Sequence, residues 1–172
     1  AAYKIRNAIE KIICIAPVVP VLDSFASLKE LELKFPVEFQ DQNLQKLGRL
    51  PKLKKIQLSK HTVVYGQGST SLKSLSGLDA PQLEEFSAEY MDLRDVNALA
   101  ECKKLKHINL RANLALENID KLKPMSGSLQ EVDLSFCRNL TSLKGLSKAN
   151  QLERLEISGL TQITDFSDIE GL

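Results

Sequence analysis

Cys137 stands beside Arg138 and a few residues after two carboxylates, Glu131 and Asp133. A thiol with acidic and basic neighbours is the raw material of nucleophilic catalysis. That chemistry needs a base held against the sulfur, and the chain has two histidines, His61 and His107. Neither lies in a Cys-x-x-Cys, His-Glu-x-x-His or comparable spacing, so no metal site and no Cys–His pair is expected. Gly66-Gln67-Gly68-Ser69-Thr70-Ser71 has the composition of a phosphate-cradling loop. A Walker A loop, however, needs lysine directly after its second glycine, and here the lysine arrives only at Lys73. Glu84 and Glu85 are adjacent carboxylates whose places follow from a repeat register, which leaves them without a catalytic role. The expectation is a protein that is not an enzyme and uses no cofactor.

The register comes from the stretch that carries Cys137. Between Leu129 and Leu140 the apolar residues fall at Leu129, Val132, Leu134, Cys137 and Leu140. Val132 and Leu134 alternate as in a half-buried strand, and Cys137 and Leu140 turn inward after it. Five further stretches share the pattern: Leu28, Leu31, Leu33 with Val37; Leu53, Ile56, Leu58 with Val63 or Val64; Leu83, Phe86, Ala88; Leu105, Ile108, Leu110; and Leu152, Leu155, Ile157. Their leading residues recur at about 22–30 residues, the period of a stacked solenoid. The position of Cys137 is taken by Asn113, His61, Met91 and Leu160 in other copies. Its side chain can bond the backbone of the turn when it is Asn or Cys. Asp95 ahead of Val96, Leu99, Ala100 and Cys102 predicts a short return helix with Asp95 as its N-cap.

Residues 1–22 are expected to cover the first repeat. Ile5, Ala8, Ile9, Ile12 and Ile13 recur near the helical period before Pro17, which favours an amphipathic capping helix. The alternative is a degenerate earlier repeat with Ile9, Ile12 and Cys14 at its core. Residues 23–172 form the repeat domain of about six copies. Phe166, Ile169 and Leu172 follow the sixth without a polar cap, so continuation of the repeats beyond Leu172, or burial of that end in a larger assembly, is expected.

Composition limits the partners. A net charge of +1, with 43% hydrophobic and 26% charged residues, gives no general attraction to nucleic acid or anionic membrane. The longest apolar run, Ile12 to Leu22, is too short to cross a bilayer. Three cysteines at unrelated spacings fit a reducing compartment, and an intracellular, cytoplasmic location is expected.

What remains is the outward face of the strands. Across the copies it carries Lys55, Glu85, Tyr90, His107, Arg111, Asp133, Phe136 and Arg154. Acidic and basic residues are mixed there, which argues against direct nucleic-acid binding. Tyr90 and Phe136 are aromatics predicted to face water, with no folding role, near Arg111 and Arg154. These residue types are enriched at binding hot spots. Six strands about 4.8 Å apart span roughly 25 Å, so the flat patch is about half of a standard ~800 Å² partner footprint. The 65–71 stretch is an insertion relative to the other copies, and Tyr65 and Gln67 within it are expected to add contact area.

From about Ser24 to Leu172 the chain resembles the leucine-rich-repeat superfamily. The copies with Asn113, Cys137 and Leu160 at the turn look like cysteine-containing repeats, which occur in intracellular plant immune receptors, F-box proteins and many protozoan proteins. The third copy, with Leu93 and Val96, is closer to the short repeats of phosphatase regulators. The resemblance implies an α/β solenoid, a curved horseshoe with a parallel sheet on its concave face and short helices or turns on its convex face. It also implies binding of other proteins, and it names no ligand. Two alternatives stand beside a plain interaction module. One is a structural scaffold subunit of a large assembly such as a ribonucleoprotein. The other is a ligand-sensing segment of an intracellular receptor or ubiquitin-ligase adaptor.

Overall fold

The computed structural model describes residues 8–36, 39, 43–60 and 72–172. Tyr65, Gln67 and the rest of the 65–71 insertion, with Val37, His61, Val63 and Val64, lie outside the described residues. Seven strands, β1 (Lys11–Ile15), β2 (Glu30–Phe35), β3 (Lys55–Lys60), β4 (Glu85–Ala88), β5 (His107–Asn109), β6 (Glu131–Asp133) and β7 (Arg154–Glu156), form one open parallel sheet in chain order. Among the described residues, the connections after β2, β4, β5 and β6 return through 3₁₀ turns of three to five residues, such as Asn97–Glu101 and Lys144–Leu146. Such short segments suit 3₁₀ geometry better than a full α-helix, whose nucleus is costly.

Alternation within each strand builds the core. Leu31 and Leu33, Ile56 and Leu58, Phe86 and Ala88, Ile108 and Leu110, and Val132 and Leu134 are all fully buried. Full burial of one such large side chain is worth about 1.5–3 kcal/mol against its exposed state. Phe35 and Phe39 add a layer that the leucine pattern did not announce, with ring centroids 4.0 Å apart. Turn residues tie the layers together. Asn113 donates from Nδ2 to the carbonyls of Ala88 at 2.7 Å and Leu110 at 2.8 Å, and its Oδ1 accepts the Leu93 amide at 3.2 Å. Cys137 Sγ donates to the Leu110 carbonyl at 3.1 Å. Burial pushes the thiols of Cys102 and Cys137 up to about 11.

Four expectations are corrected. The capping helix does not reach Ile15, because Lys11–Ile15 is a strand paired in parallel with β2, giving seven strands rather than six. Its apolar residues satisfy both periods. Ile12 and Cys14 pack on the core, and the sheet edge of β2 supplies the hydrogen bonds that decide for the strand. The return segment after Asp95 is 3₁₀, with Val96 as its N-cap. Asp95 instead accepts the Asn97 amide at 3.0 Å in a two-residue side-chain turn. Ser135, which alternation after Leu134 would turn to the outward face, is fully buried. The fourth correction concerns Phe136 and belongs with the site.

One register position ends two of the short strands. Glu32, Gln57, Ser87, Asn109 and Asp133 occupy it in successive strands. Asn109 Oδ1 accepts the Arg111 amide at 3.0 Å and Asp133 Oδ1 accepts the Ser135 amide at 2.7 Å. These bonds turn the chain away after three-residue strands. β2 and β3, with Glu32 and Gln57 at this position, run on for six residues.

Candidate functional site

The concave face has two margins and a floor. At the margin where the strands begin, one register row runs Lys11, Glu30, Lys55, Glu85, His107, Glu131, Arg154. Charge alternates along it, with His107 between two glutamates. Lys11 meets Glu30 at 2.6 Å and Lys55 meets Glu85 at 2.5 Å. The hydrogen bond and charge of Glu30 raise the pKa of Lys11, and the same contact lowers that of Glu30. One residue earlier, Lys29 pairs with Glu10 at 2.7 Å and Lys54 with Glu84 at 2.9 Å. The Lys54 bond lowers the Glu84 pKa. These exposed pairs contribute little to stability, but like charges opposite one another would oppose the pairing, so they favour this register.

At the other margin the strands end in a row of left-handed residues. Tyr90 has φ 55°, Ala112 57°, Phe136 62° and Gly159 71°. Their amides continue the ladder: Tyr90 donates to the Arg111 carbonyl at 2.9 Å, Ala112 to Ser135 at 2.8 Å and Phe136 to Ser158 at 2.7 Å. The conformation aims these side chains along the rim. Arg111 reaches over the Phe136 ring, with its guanidinium carbon 4.7 Å from the centroid. Its hydrogen bond with the Tyr90 side chain, above its other contacts, raises the Arg111 pKa. Asp133 approaches the same guanidinium at 4.0 Å.

Phe136 is therefore not the exposed aromatic without a folding role that was expected. It is half-buried, sits under Arg111, and lies so near Gly159 that a Cβ there would come within 2.7 Å of Cδ1. Tyr90 does face solvent, at 41% exposure. Between the margins lies an open groove of about 390 Å³, with Gln57, Ser87, Asn109 and Asp133 among its lining residues.

The structure places the eight described candidates on one face. Lys55, Glu85, His107 and Arg154 stand in the charged row, Asp133 in the floor, and Tyr90, Arg111 and Phe136 on the rim. Two residues escaped the sequence reading: Ile13 and Ile15 of β1 share this face, beside Glu32 and Lys34, at 55% and 53% exposure. Every second residue of Ile12–Ile15 is apolar in either phase, so no pattern distinguished the outward pair.

The groove brings together carboxylates, amides and one imidazole, and among the described residues no group of three or more His, Cys, Asp or Glu could hold a metal ion. Among the described residues, too, no helix is long and apolar enough to cross a membrane.

No protein-family model matches the chain. No curated protein matches it either. Among solved structures it is similar to internalin C2 from Listeria monocytogenes. The identity is 20% and the TM-score 0.61, over 99% of this chain and 80% of that one. It is also similar to the leucine-rich repeat domain of the type III effector XopL. There the identity is 21% and the TM-score 0.49, over 94% of this chain and 64% of that one.

Proposed function

We propose that this chain, which has the leucine-rich-repeat fold, is a non-catalytic protein-binding module whose partner seats on the concave sheet. The observation that carries the reading is the rim cluster. Tyr90, Arg111 and Phe136 come from three different repeats and meet beside an open polar groove. An arginine stacked on an aromatic ring, with a tyrosine bonded to it, is pre-ordered and loses little conformational freedom when a partner covers it. Aromatic and arginine side chains of this kind carry much of the energy in protein interfaces.

Size supports a partner that reaches past the floor. Seven strands at about 4.8 Å spacing and roughly 16 Å along each strand make a face of about 450 Å², below the ~800 Å² of a standard footprint. The rim turns, and Tyr65 and Gln67 of the 65–71 stretch as a second contact, would supply the remainder.

Affinity capture from cell extract compares the wild type with Tyr90→Ala/Arg111→Ala, two surface changes that leave the buried layers intact. Loss of the captured protein is expected, with an unchanged melting temperature. Equal capture by both chains would remove the rim cluster from the binding surface. Adding Phe136→Ala tests the third member, provided its melting curve is followed alongside.

A further inference from the structure

The groove is more acidic than the chain that carries it. Glu85, Glu89, Glu131, Asp133 and Glu156 line it, against the two cations Lys55 and Arg154. With His107 counted as neutral, that is an excess of three negative charges, on a chain whose net charge is +1. Arg111 on the rim reduces the excess to two. Both lining cations are already engaged, Lys55 with Glu85 at 2.5 Å and Arg154 with Glu156 at 3.0 Å. Asp133 Oδ1 accepts the Ser135 amide, and the carboxylate lies 4.0 Å from Arg111. Glu89 and Glu131 enter no salt bridge among the described residues, although the charge of Glu89 acts on Arg111. Glu131 belongs to the charged margin and Glu89 adjoins Tyr90 on the rim, so the two flank the groove from opposite sides. On the floor between them, the Gln57 and Ser87 side chains make no hydrogen bond among the described residues, and Asn109 engages only its Oδ1.

We propose, resting on the concave-face reading above, that the partner presents a basic segment to this groove, an extended stretch of chain bearing lysine or arginine. Charge complementarity selects this occupant. A cationic side chain entering between Glu89 and Glu131 meets carboxylates that no base of this chain has neutralised. An acidic segment or a nucleic-acid backbone meets the same excess as repulsion. The two lining cations offer such a partner nothing, because Glu85 and Glu156 already hold them. Dimensions favour an extended chain. The groove crosses five strands, β3 to β7, at about 4.8 Å spacing, so it is roughly 19 Å long and takes about six extended residues. The floor favours a peptide over a small amine. Gln57, Ser87 and Asn109 offer donors and acceptors that a peptide backbone can use and a lone ammonium group would leave idle. Arg111 does not block the entry, since its guanidinium is held over the Phe136 ring and bonded to Tyr90.

Fluorescence anisotropy on the full chain at low salt tests it with three labelled peptides of equal length. One alternates arginine with serine, one glutamate with serine and one glutamine with serine. The arginine peptide is expected to bind at least tenfold more tightly than the glutamine peptide, and the glutamate peptide not to bind. Glu89→Gln/Glu131→Gln removes two negative charges without disturbing a salt bridge and should weaken the arginine peptide by about tenfold. Glu101→Gln/Asp120→Asn removes the same charge from the 3₁₀ return turns and should bind as the wild type does. Equal loss in both double variants reduces the effect to net charge and overturns the proposal. Equal binding of the three peptides, or no binding of the arginine peptide, overturns it as well. Capture from cell extract keeps the two readings apart. A protein lost with Tyr90→Ala/Arg111→Ala but retained by Glu89→Gln/Glu131→Gln overturns the basic segment and leaves the concave face as the binding surface. Equal capture by the wild type and both variants overturns the concave-face reading and the basic segment together.

Discussion

The guanidinium carbon of Arg111 lies 4.7 Å from the centroid of the Phe136 ring, although the two residues belong to successive repeats. The contact exists because Phe136 has a positive φ, the conformation shared by Tyr90, Ala112 and Gly159 at the same place in their repeats. Glycine alone takes that conformation without steric cost. The row therefore trades backbone comfort for side chains, and Tyr90 and Phe136 use it to build the rim.

Ala112 bears the backbone cost with the smallest side chain in return. Ala112→Gly should raise stability by about 1 kcal/mol, since relief of the left-handed strain exceeds the added freedom of the unfolded chain. A melting curve should move up by about 2–4 °C. Phe136 separates the two terms. Both Phe136→Ala and Phe136→Gly lose the ring, but Phe136→Gly should be the more stable of the pair, reversing the usual order of these residues. If Phe136→Ala melts higher, the left-handed strain at this position is not real.

Asn113 serves three backbone groups from a fully buried site: the carbonyls of Ala88 and Leu110 and the amide of Leu93. Asn113→Ala removes the side-chain bond from all three, leaving the Leu110 carbonyl to Cys137 Sγ and the residue-113 amide, and should cost about 2–4 kcal/mol, well above the typical surface substitution. Asn113→Cys should lie between wild type and alanine, because Cys137 already bonds one such carbonyl from the same repeat position. Chemical denaturation of the three chains orders them directly.

The core of this fold was legible because its layers repeat. Leu129, Val132 and Leu134 announce a strand face only weakly alone, but six registered copies define a solenoid. Six of the eight described site candidates, all but Tyr90 and Phe136, followed from the same register, since outward positions alternate with buried ones. Two kinds of information were not in the pattern. Lys11–Ile15 carries apolar residues in both phases, so only pairing with β2 settles its structure and exposes Ile13 and Ile15. Ser135 and Phe136 depend on backbone angles after the strand. There, the Asp133 side-chain turn precedes a Ser135 that is buried although alternation would send it outward, and the positive φ at Phe136 aims along the rim a ring that alternation would send inward.

The buried thiols give the chain an alkaline limit. Cys102 and Cys137 rise from 9.0 to about 11 in the fold, chiefly through burial. The folded state thus holds protons that the unfolded state loses, and unfolding becomes easier as pH climbs. Their contribution is fully present below pH 9.0 and is lost as pH rises toward and through about 11. Denaturation midpoints measured from pH 8 upward should fall across that window, and Cys102→Ala/Cys137→Ala should flatten the decline. In the folded chain at pH 8, a thiol reagent should label Cys14, which is half-buried, well before the other two.

Two glycines in the return segments test how closely the repeats stack. A Cβ on Gly145 would run into the backbone carbonyl of Ile119 in the preceding repeat. Neither partner is the flexible end of a side chain, so Gly145→Ala must push two 3₁₀ turns apart. A cost of about 2–4 kcal/mol is expected, in the range of overpacked cores. Gly127, also in a 3₁₀ turn, offers the control: a Cβ there meets the Lys148 carbonyl at 3.8 Å, an ordinary contact. Gly127→Ala should be neutral or slightly stabilising through the stiffer unfolded chain. Equal melting temperatures for the two alanine variants would mean that the turns at Ile119 and Gly145 are not packed as described.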